Sequence, residues 1–370
     1  MSETSEPTGP PEAMPVAVYT RPGHVEVQER PVPSPGPGQV LVEVGHCGVC
    51  GSDIHMILEG WGTPGAVLGH EWTGVVTALG PDVSGWAVGD EVVGGPSPRC
   101  GRCRRCLAGR PSQCENRDGV VADDLDGAFA RYHLVDQRSL LRVPEGITAR
   151  EAALAEPLAV ALHGITRSGI EVGQSAMVFG AGPIGALVVA ALVARGIGPV
   201  TVVEPGPARQ DLARALGAAE VIHPDELEVY PMWEPERISP RAVDVVLECS
   251  GKKAAMEAGF HQLCRGGQLV LVGAGIEAPT FDPNRLLLNE LSVTGSFVYD
   301  HDGFEQALAL LASGALPTDL LIDPVDVPLD GLPDALAGLA RGTIAGKVMV
   351  VPRVSSSPPH PASPAPQEHP

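Results

Sequence analysis

Four thiols crowd one short stretch of the chain: Cys100, Cys103, Cys106 and Cys114, the first three spaced three apart. Three cysteines at that spacing cannot all pair well as disulfides. Four thiolates instead complete the tetrahedral shell of a structural zinc ion and leave no position for a substrate. Arg102, Arg104, Arg105 and Arg110 lie among them, and positive neighbours lower a thiol's pKa and favour the thiolate. The competing readings are reduced thiols in a loop and a zinc ribbon that reads nucleic acid. The acidic balance of the whole chain opposes the second.

A different donor set is spread along the chain: Cys50-Gly51-Ser52-Asp53-Ile54-His55, then Gly69-His70-Glu71, and much later Glu156-Pro157-Leu158. A catalytic zinc needs three protein ligands and an open position. Cys50, His70 and a carboxylate make a mixed set of that kind, although no spacing rule joins residues so far apart. A lone Cys or His is more often core than ligand. Cys47, Cys249 and Cys264 are given that plainer reading.

Near the middle, an apolar run (176–179) leads into Gly180-Ala181-Gly182-Pro183-Ile184-Gly185 and then an apolar, helix-prone stretch (186–194). In a G-x-G-x-x-G turn the first glycine permits the tight turn, the second lets a pyrophosphate approach the backbone, and the third lets helix and strand pack closely. The pyrophosphate would rest on the helix N-terminus, where free N–H groups and the dipole favour an anion. A second apolar strand (200–203) ends in Glu204, placed to accept the adenosine ribose hydroxyls. A carboxylate there repels a 2′-phosphate, so NAD is expected rather than NADP, and Arg209 would soften the repulsion.

These groups need scaffolds, and 370 residues suggest two domains. A net charge of −20 argues against nucleic acid and anionic membranes as partners. No apolar run approaches the ~20 residues that span a bilayer, and the acidic, Pro-rich start carries no signal-peptide pattern. In a chain expected to be cytoplasmic, eight cysteines suggest metal binding or catalysis before disulfides. Residues 1–14 and 354–370 read as disordered Pro/Ser/Glu tails. Short alternating strands (25–27, 40–44, 67–78 and 90–93) predict a β-rich first part. A helix over 149–162 follows, and then strands and helices alternate to 272, the pattern of a doubly wound parallel sheet. The proline-rich stretch 222–241 reads as a surface loop. A helix over 303–312 and a strand over 347–351 are expected to return to the first domain.

Together these motifs, in this order, resemble the zinc-dependent alcohol and polyol dehydrogenases of the medium-chain dehydrogenase/reductase superfamily, over about residues 15–353. The resemblance implies an α/β protein with a GroES-like, β-barrel-type catalytic domain (15–156 and 299–353) and a Rossmann domain of doubly wound parallel sheet (157–298). Cys50, His70 and Glu156 would hold the catalytic zinc, and Glu71 would lie beside it and bind when the metal moves. Glutamate at 156, where alcohol dehydrogenases often have cysteine, points toward polyols and secondary alcohols. Ser52 would hydrogen-bond the substrate oxygen and His55 would relay its proton to solvent. Asp53 would support His55 or its strand, or simply cap a turn. Gly180, Gly182, Pro183, Ile184, Gly185, Glu204 and Arg209 would bind the cofactor. Val272, Gly273 and Ala274 would face the nicotinamide. Gly51 stands where some members have an arginine near the pyrophosphate, leaving that role to backbone N–H groups and Lys347. Ile57, Trp61 and Phe297 are pocket candidates.

The implied reaction is reversible oxidation of an alcohol to a ketone or aldehyde. Zinc would act as a Lewis acid on the alcohol oxygen, and hydride would pass to the nicotinamide. The rival readings are a zinc-free enoyl or quinone reductase and a non-catalytic dinucleotide-binding protein of the same fold. A homodimer or homotetramer is expected.

Overall fold

Alternating apolar and polar residues fold the first third of the chain into β structure. The computed structural model describes residues 10–94, 100–116, 127–300 and 302–353. The expected tails therefore lie outside the described residues at 1–9 and 354–370. Strands β1 (Ala13–Arg21) and β2 (His24–Pro31) form an antiparallel hairpin in which Ala13 pairs with Pro31 and Met14 with Arg30. Ordered structure thus begins inside the stretch read as a tail, because the buried Met14 and Val16 tie its end to the core.

Next come β3 (Gln39–Gly48), α1 (Gly51–Ile57), β4 (Glu71–Leu79), β5 (Glu91–Gly94), α2 (Arg104–Leu107), β6 (Tyr132–Asp136) and β7 (Leu140–Arg142). The strand expected from Val67 starts only at Glu71. Gly69 has φ +96°, a left-handed conformation that no strand continues through. The expected single helix over 149–162 is two helices, α3 (Ala149–Ala152) and α4 (Ala155–Ser168). Pro157 explains the break: it has no N–H to bond back to Ala153 and its ring would crowd that carbonyl, so it is tolerated only in a first turn. A capping box of Thr148 and Glu151 starts α3.

From β8 (Ala176–Phe179) onward the chain alternates: α5 (Pro183–Ala194), β9 (Val200–Val203), α6 (Pro207–Ala215), β10 (Glu220–Ile222), β11 (Val243–Glu248), α7 (Lys253–His261), β12 (Leu263–Leu271), α8 (Pro283–Leu288) and β13 (Ser292–Gly295). These six strands form one sheet in the order β10-β9-β8-β11-β12-β13, and every neighbouring pair is parallel. The order reverses between β8 and β11, and ligands of such sheets bind in the crevice at that reversal. Its inner strands β8, β9 and β11 are nearly continuous buried runs because helices cover both faces. On one face Val178, Val202 and Leu247 pack with Leu158 of α4 and Leu187 of α5. On the other, Met177, Phe179 and Val246 pack with Phe260 of α7.

The chain closes with α9 (Gly303–Ala312), α10 (Thr318–Leu321), β14 (Val327–Pro328), α11 (Leu332–Arg341) and β15 (Met349–Val351). Strand β15 does return to the first unit, where it pairs antiparallel with β3 at Cys47 and Gly48. The seven-stranded sheet there runs β14-β15-β3-β4-β5-β7, with β6 also on β3. Helix α9 does not return with it. Its buried Phe304, Ala307, Leu308 and Leu311 share the core of α4 and α5.

The proline-rich stretch 222–241 is less free than its composition suggests. Buried Arg285 donates to the carbonyls of Arg237 (2.8 Å) and His261 (3.1 Å), and Asn289 Nδ2 donates to Pro235 (2.8 Å). No helix among the described residues is long and apolar enough to cross a membrane.

Candidate active site and metal centres

Two turns bring the scattered donors together. Cys50 caps α1 directly after β3, and the left-handed Gly69 aims His70 inward just before β4 begins at Glu71. A Cβ on Gly69 would lie 2.8 Å from the Phe129 nitrogen, so only glycine fits that turn. Ligand atoms of Cys50, His70 and Glu71 consequently lie within 4.8 Å of one another. Glu156, in the first turn of α4, lines the same cleft but stands outside that compact trio. Asp53 Oδ2 accepts the Cys50 N–H at 2.8 Å, and its Oδ1 lies 3.9 Å from His70 Nδ1. Asp53 therefore fixes the metal-side residues rather than His55.

Lys347 also departs from expectation. It is buried, with Nζ 2.8 Å from Glu71 Oε1, 2.7 Å from Glu71 Oε2 and 3.0 Å from the Val49 carbonyl. At 1% exposure, and absent from the cleft lining, the ammonium is turned to Glu71 rather than offered to a pyrophosphate.

The electrostatics suit a divalent cation. Cys50 and Glu156 act on both His70 and Lys347, joined by Asp53 at His70 and by Glu71 at Lys347. Burial, with Glu71 beside it, pushes the Glu156 carboxyl up to about 7 against the pull of His70. Burial would lower the His70 imidazole, but Cys50, Asp53 and Glu156 hold its pKa well above the ordinary value. Glu71 Oε2 is buried with no donor in hydrogen-bond geometry, although the ammonium is near. A thiolate, an imidazole and carboxylates form a donor set that zinc accepts.

The cleft has a volume of about 340 Å³. Ser52 and His55 line it on one side, and Val272, Gly273 and Ala274 on the other. His55 Nδ1 lies 2.7 Å from Glu59 Oε2, and its ring stacks on Trp61 at 5.0 Å between centroids. Glu59 escaped the sequence reading, although its i,i+4 spacing from His55 on a helix was a usable signal. Of the expected pocket residues only Phe297 lines the cleft. Ile57 is buried in the first unit's core, and Trp61 is 48% exposed and acts on the cleft only through His55. Cys249, read as plain core, is in the cleft wall beside Ser250. The sequence carried no signal for that, because a residue just past a strand end looks the same from either side.

The glycine turn has the expected shape. Gly180 has φ +84°, and a Cβ on Gly185 would fall 1.8 Å from the Gly180 carbonyl oxygen. Gly182 caps α5 without a side-chain hydrogen bond, and Pro183 follows at the first helical position. The space before that helix end is open: a Cβ on Gly182 would meet nothing nearer than Arg209 at 3.8 Å. A backbone cradle with a free helix N-terminus fits a dinucleotide's pyrophosphate. Ile184 reaches the cleft wall. Glu204 is buried, with Oε2 accepting from Ala181 N (2.7 Å) and Oε1 from Gly206 N (2.8 Å). Its carboxylate braces the turn as well as standing where ribose is expected. Arg209 points elsewhere than toward a 2′-phosphate, with Nη2 donating to Leu339 O (2.9 Å) and Nε to Ile344 O (3.3 Å).

Sulfur atoms of Cys100, Cys103, Cys106 and Cys114 also lie within 4.8 Å of one another, all as free thiols. The arginines are not what tunes them. Arg104 pairs with Glu115 and Arg110 with Asp300. Hydrogen bonds from Asn116 and from backbone N–H groups bring the Cys100 thiol down to about 6. The Glu115 and Cys106 N–H groups lower Cys103. Asp300 also accepts from Ser112 N (3.1 Å), which ties this lobe to the segment after β13.

Comparison with known proteins agrees with this geometry. The family described as "Alcohol dehydrogenase GroES-like domain" matches residues 36–145, and "Zinc-binding dehydrogenase" matches residues 183–313. The chain is 35% identical over 312 residues to 2-dehydro-3-deoxy-L-galactonate 5-dehydrogenase of Pseudoalteromonas atlantica, covering 83% of this chain and 89% of that one. It is 32% identical over 320 residues to sorbitol dehydrogenase of Bacillus subtilis, covering 84% and 90%. Among solved structures, a zinc-binding dehydrogenase of Sinorhizobium meliloti bound to NADP aligns with TM-score 0.80 at 33% identity, covering 92% of this chain and 99% of that one. Acetophenone reductase of Geotrichum candidum in complex with NAD aligns with TM-score 0.81 at 26% identity, covering 93% and 99%.

Proposed function

The chain belongs to the zinc-dependent alcohol and polyol dehydrogenases of the medium-chain dehydrogenase/reductase superfamily, and on that premise we propose how its residues perform the reaction. The protein interconverts an alcohol, here a polyol or secondary alcohol, with its carbonyl form and uses NAD as hydride carrier. Cys50, His70 and Glu156 would hold a catalytic zinc, with Glu71 in reserve, and the ion would supply Lewis acidity toward the substrate oxygen. Ser52 Oγ takes the hydroxyl proton and passes it to His55. The Glu59 carboxylate accepts from Nδ1 of that ring, which leaves Nε2 as the nitrogen that receives the proton. Met56, Leu68, Val160, Phe297 and Val298 give the cleft apolar walls that exclude water. Val272 to Ala274 back the nicotinamide, and the turn at Gly180 to Gly185 seats the pyrophosphate. Cys100, Cys103, Cys106 and Cys114 would hold a second, structural zinc.

One observation carries this reading. Cys50, His70 and Glu156 line the same cleft as Val272 to Ala274, which supports a metal and a hydride acceptor that share one substrate position. All eight cysteines are free thiols, which suits a reducing, cytoplasmic setting for zinc thiolates. The test is Cys50→Ser in the zinc-loaded protein, assayed against sugar alcohols, diols and simple secondary alcohols. Turnover should vanish and zinc content should fall by one ion per chain, while NAD affinity stays within about twofold because the glycine turn is untouched. Near-normal alcohol oxidation by Cys50→Ser would overturn the reading.

A further inference from the structure

Asp300 gathers three parts of the molecule at one carboxylate. Its Oδ2 accepts from Arg110 Nε at 2.5 Å and its Oδ1 from the Ser112 N–H at 3.1 Å, both in the four-cysteine lobe. His163 Nδ1, on α4, lies 4.0 Å from Oδ2. Burial would raise the Asp300 carboxyl, but hydrogen bonds from Ser112 and Arg110, with His163 nearby, hold it below the ordinary carboxylate range. The chain between β13 and Asp300 is fixed at both ends. Ser296 N donates to Leu271 O at 2.9 Å, and Tyr299 is buried against Phe304 in the core shared with α4. Between these anchors stand Phe297 and Val298, which line the cleft. Val298 has φ +45°, a left-handed conformation that is a true outlier for a β-branched residue. Such strain persists only where the surroundings over-determine it. The facing wall differs, because Met56 and Val160 stand on α1 and α4, whereas Phe297 and Val298 lie beyond the end of β13.

We propose that Asp300 is a positioning residue for substrate selection: its contacts with Arg110 and Ser112 tie the four-cysteine lobe to Phe297 and Val298 and hold that wall of the cleft in place. The inference deepens the dehydrogenase reading above and rests on it. No described residue of 100–116 lines the cleft, so the lobe reaches the substrate through this carboxylate. Alcohols whose carbon chain extends far enough to press on Phe297 and Val298 are the ones it selects among.

The test uses zinc-loaded wild type, Asp300→Ala, Asp300→Asn, Arg110→Ala and the double alanine variant, with metal content confirmed. NAD-linked oxidation is measured from 2-propanol through xylitol to sorbitol, ADP-ribose affinity by calorimetry, and hydrogen exchange over residues 296–300. In Asp300→Ala, KM for the larger alcohols should rise about tenfold, the scale on which a pocket resolves one methylene, while kcat, 2-propanol and ADP-ribose change by less than about twofold. Arg110→Ala should act in the same direction and less, and the double variant should do no more than Asp300→Ala, because both act through one contact. Asp300→Asn keeps an acceptor for the Ser112 N–H and should be restored in part. Exchange over 296–300 should quicken in both alanine variants. An unchanged KM pattern across the panel overturns the role in selection, as does a uniform loss of kcat with a lowered melting temperature, the mark of a merely structural pair. Unchanged exchange overturns the anchor. Should Asp300→Ala fail to fold, Arg110→Ala, whose side chain is 35% exposed, decides by the same readouts. Wild type that oxidises no alcohol of the panel overturns the dehydrogenase reading and the selection role with it, whereas the exchange comparison still decides the anchor.

Discussion

Lys347 and Glu71 are 276 residues apart in sequence and form an ion pair in which the two side chains are 1% and 0% exposed. The pair fastens the C-terminal segment to the strand that follows His70. Removing one member of a buried pair strands the other charge, at a cost of about 3–5 kcal/mol. Lys347→Met should therefore lower the melting temperature sharply, and adding Glu71→Gln should restore most of it. Thermal unfolding of the three proteins checks this. Equal stability of the single and double variants would remove the pair as a stabilising unit.

The relay prediction concerns His55 and Glu59. His55→Ala should lower kcat about 10²-fold at neutral pH, the scale of a lost general base. The deficit should shrink at high pH, where hydroxide takes the proton directly. Glu59→Gln should give a smaller deficit with the same pH trend, because the ring loses its orientation but keeps its nitrogen. PH–rate profiles of both variants decide, and a pH-independent deficit would point to a structural role instead.

Much of this site was legible in the sequence because its signals are local. The glycine turn, the four-cysteine cluster and the Cys50–His55 run each span a few residues, and backbone geometry follows from such spacings directly. The four inner parallel strands were legible as apolar runs, whereas the edge strands β10 (pattern Glu-Val-Ile) and β13 (Ser-Val-Thr-Gly), covered less fully, were not expected. What escaped is long-range or directional. Lys347 was expected at a pyrophosphate and is spent on Glu71, and Arg209 was expected near a 2′-phosphate and donates to α11. Asp53, read either as support for His55 or as a turn cap, takes the second role at Cys50 and also faces His70. A sequence gives a side chain's chemistry and its place on an element, whereas its rotamer depends on partners hundreds of residues away.

Cofactor choice gives a third prediction, altered by where Glu204 points. Glu204→Ser should raise the NADP/NAD preference by removing a repelling charge. It should also cost about 1–3 kcal/mol of stability, the scale for leaving a buried donor unpaired, because the N–H groups of Ala181 and Gly206 lose their acceptor. Glu204→Gln keeps an acceptor and should shift preference with less loss of stability. Steady-state kinetics with both cofactors and thermal unfolding separate the effects. A wild-type preference for NADP would refute the assignment.

The four-cysteine lobe should behave as a staple. Cys103→Ser should reduce zinc from two ions to one per chain, an expectation that follows from one closed and one open metal site. Stability should fall more than the rate of hydride transfer does. Metal analysis with single-turnover kinetics checks this, and a variant that retains both ions would contradict the tetrathiolate.

A pH effect on stability should arise at His261, far from either metal. Its Nδ1 accepts the Tyr230 N–H at 3.3 Å, and burial together with Arg285 lowers its pKa to about 4. Below about pH 6.5 the unfolded chain takes up a proton there that the folded chain refuses, so stability is lost as pH falls from about 6.5 toward 4. His261→Phe should flatten that part of the melting-temperature profile relative to wild type. Parallel slopes would exclude His261 as the cause.

The pairing of β15 with β3 also sets an order of events during synthesis. All six parallel strands lie between Ala176 and Gly295, so the nucleotide-binding sheet has every partner well before translation ends. The antiparallel sheet does not. Cys47 and Gly48, just before the proposed metal ligand Cys50, wait for Met349 and Val350 to leave the ribosome. Units made of neighbouring segments close early, and contacts between distant segments come late. The nascent chain can therefore hold a finished nucleotide-binding half while the strand edge beside its metal ligands stands open, and that interval is when the polypeptide most needs shielding from its neighbours.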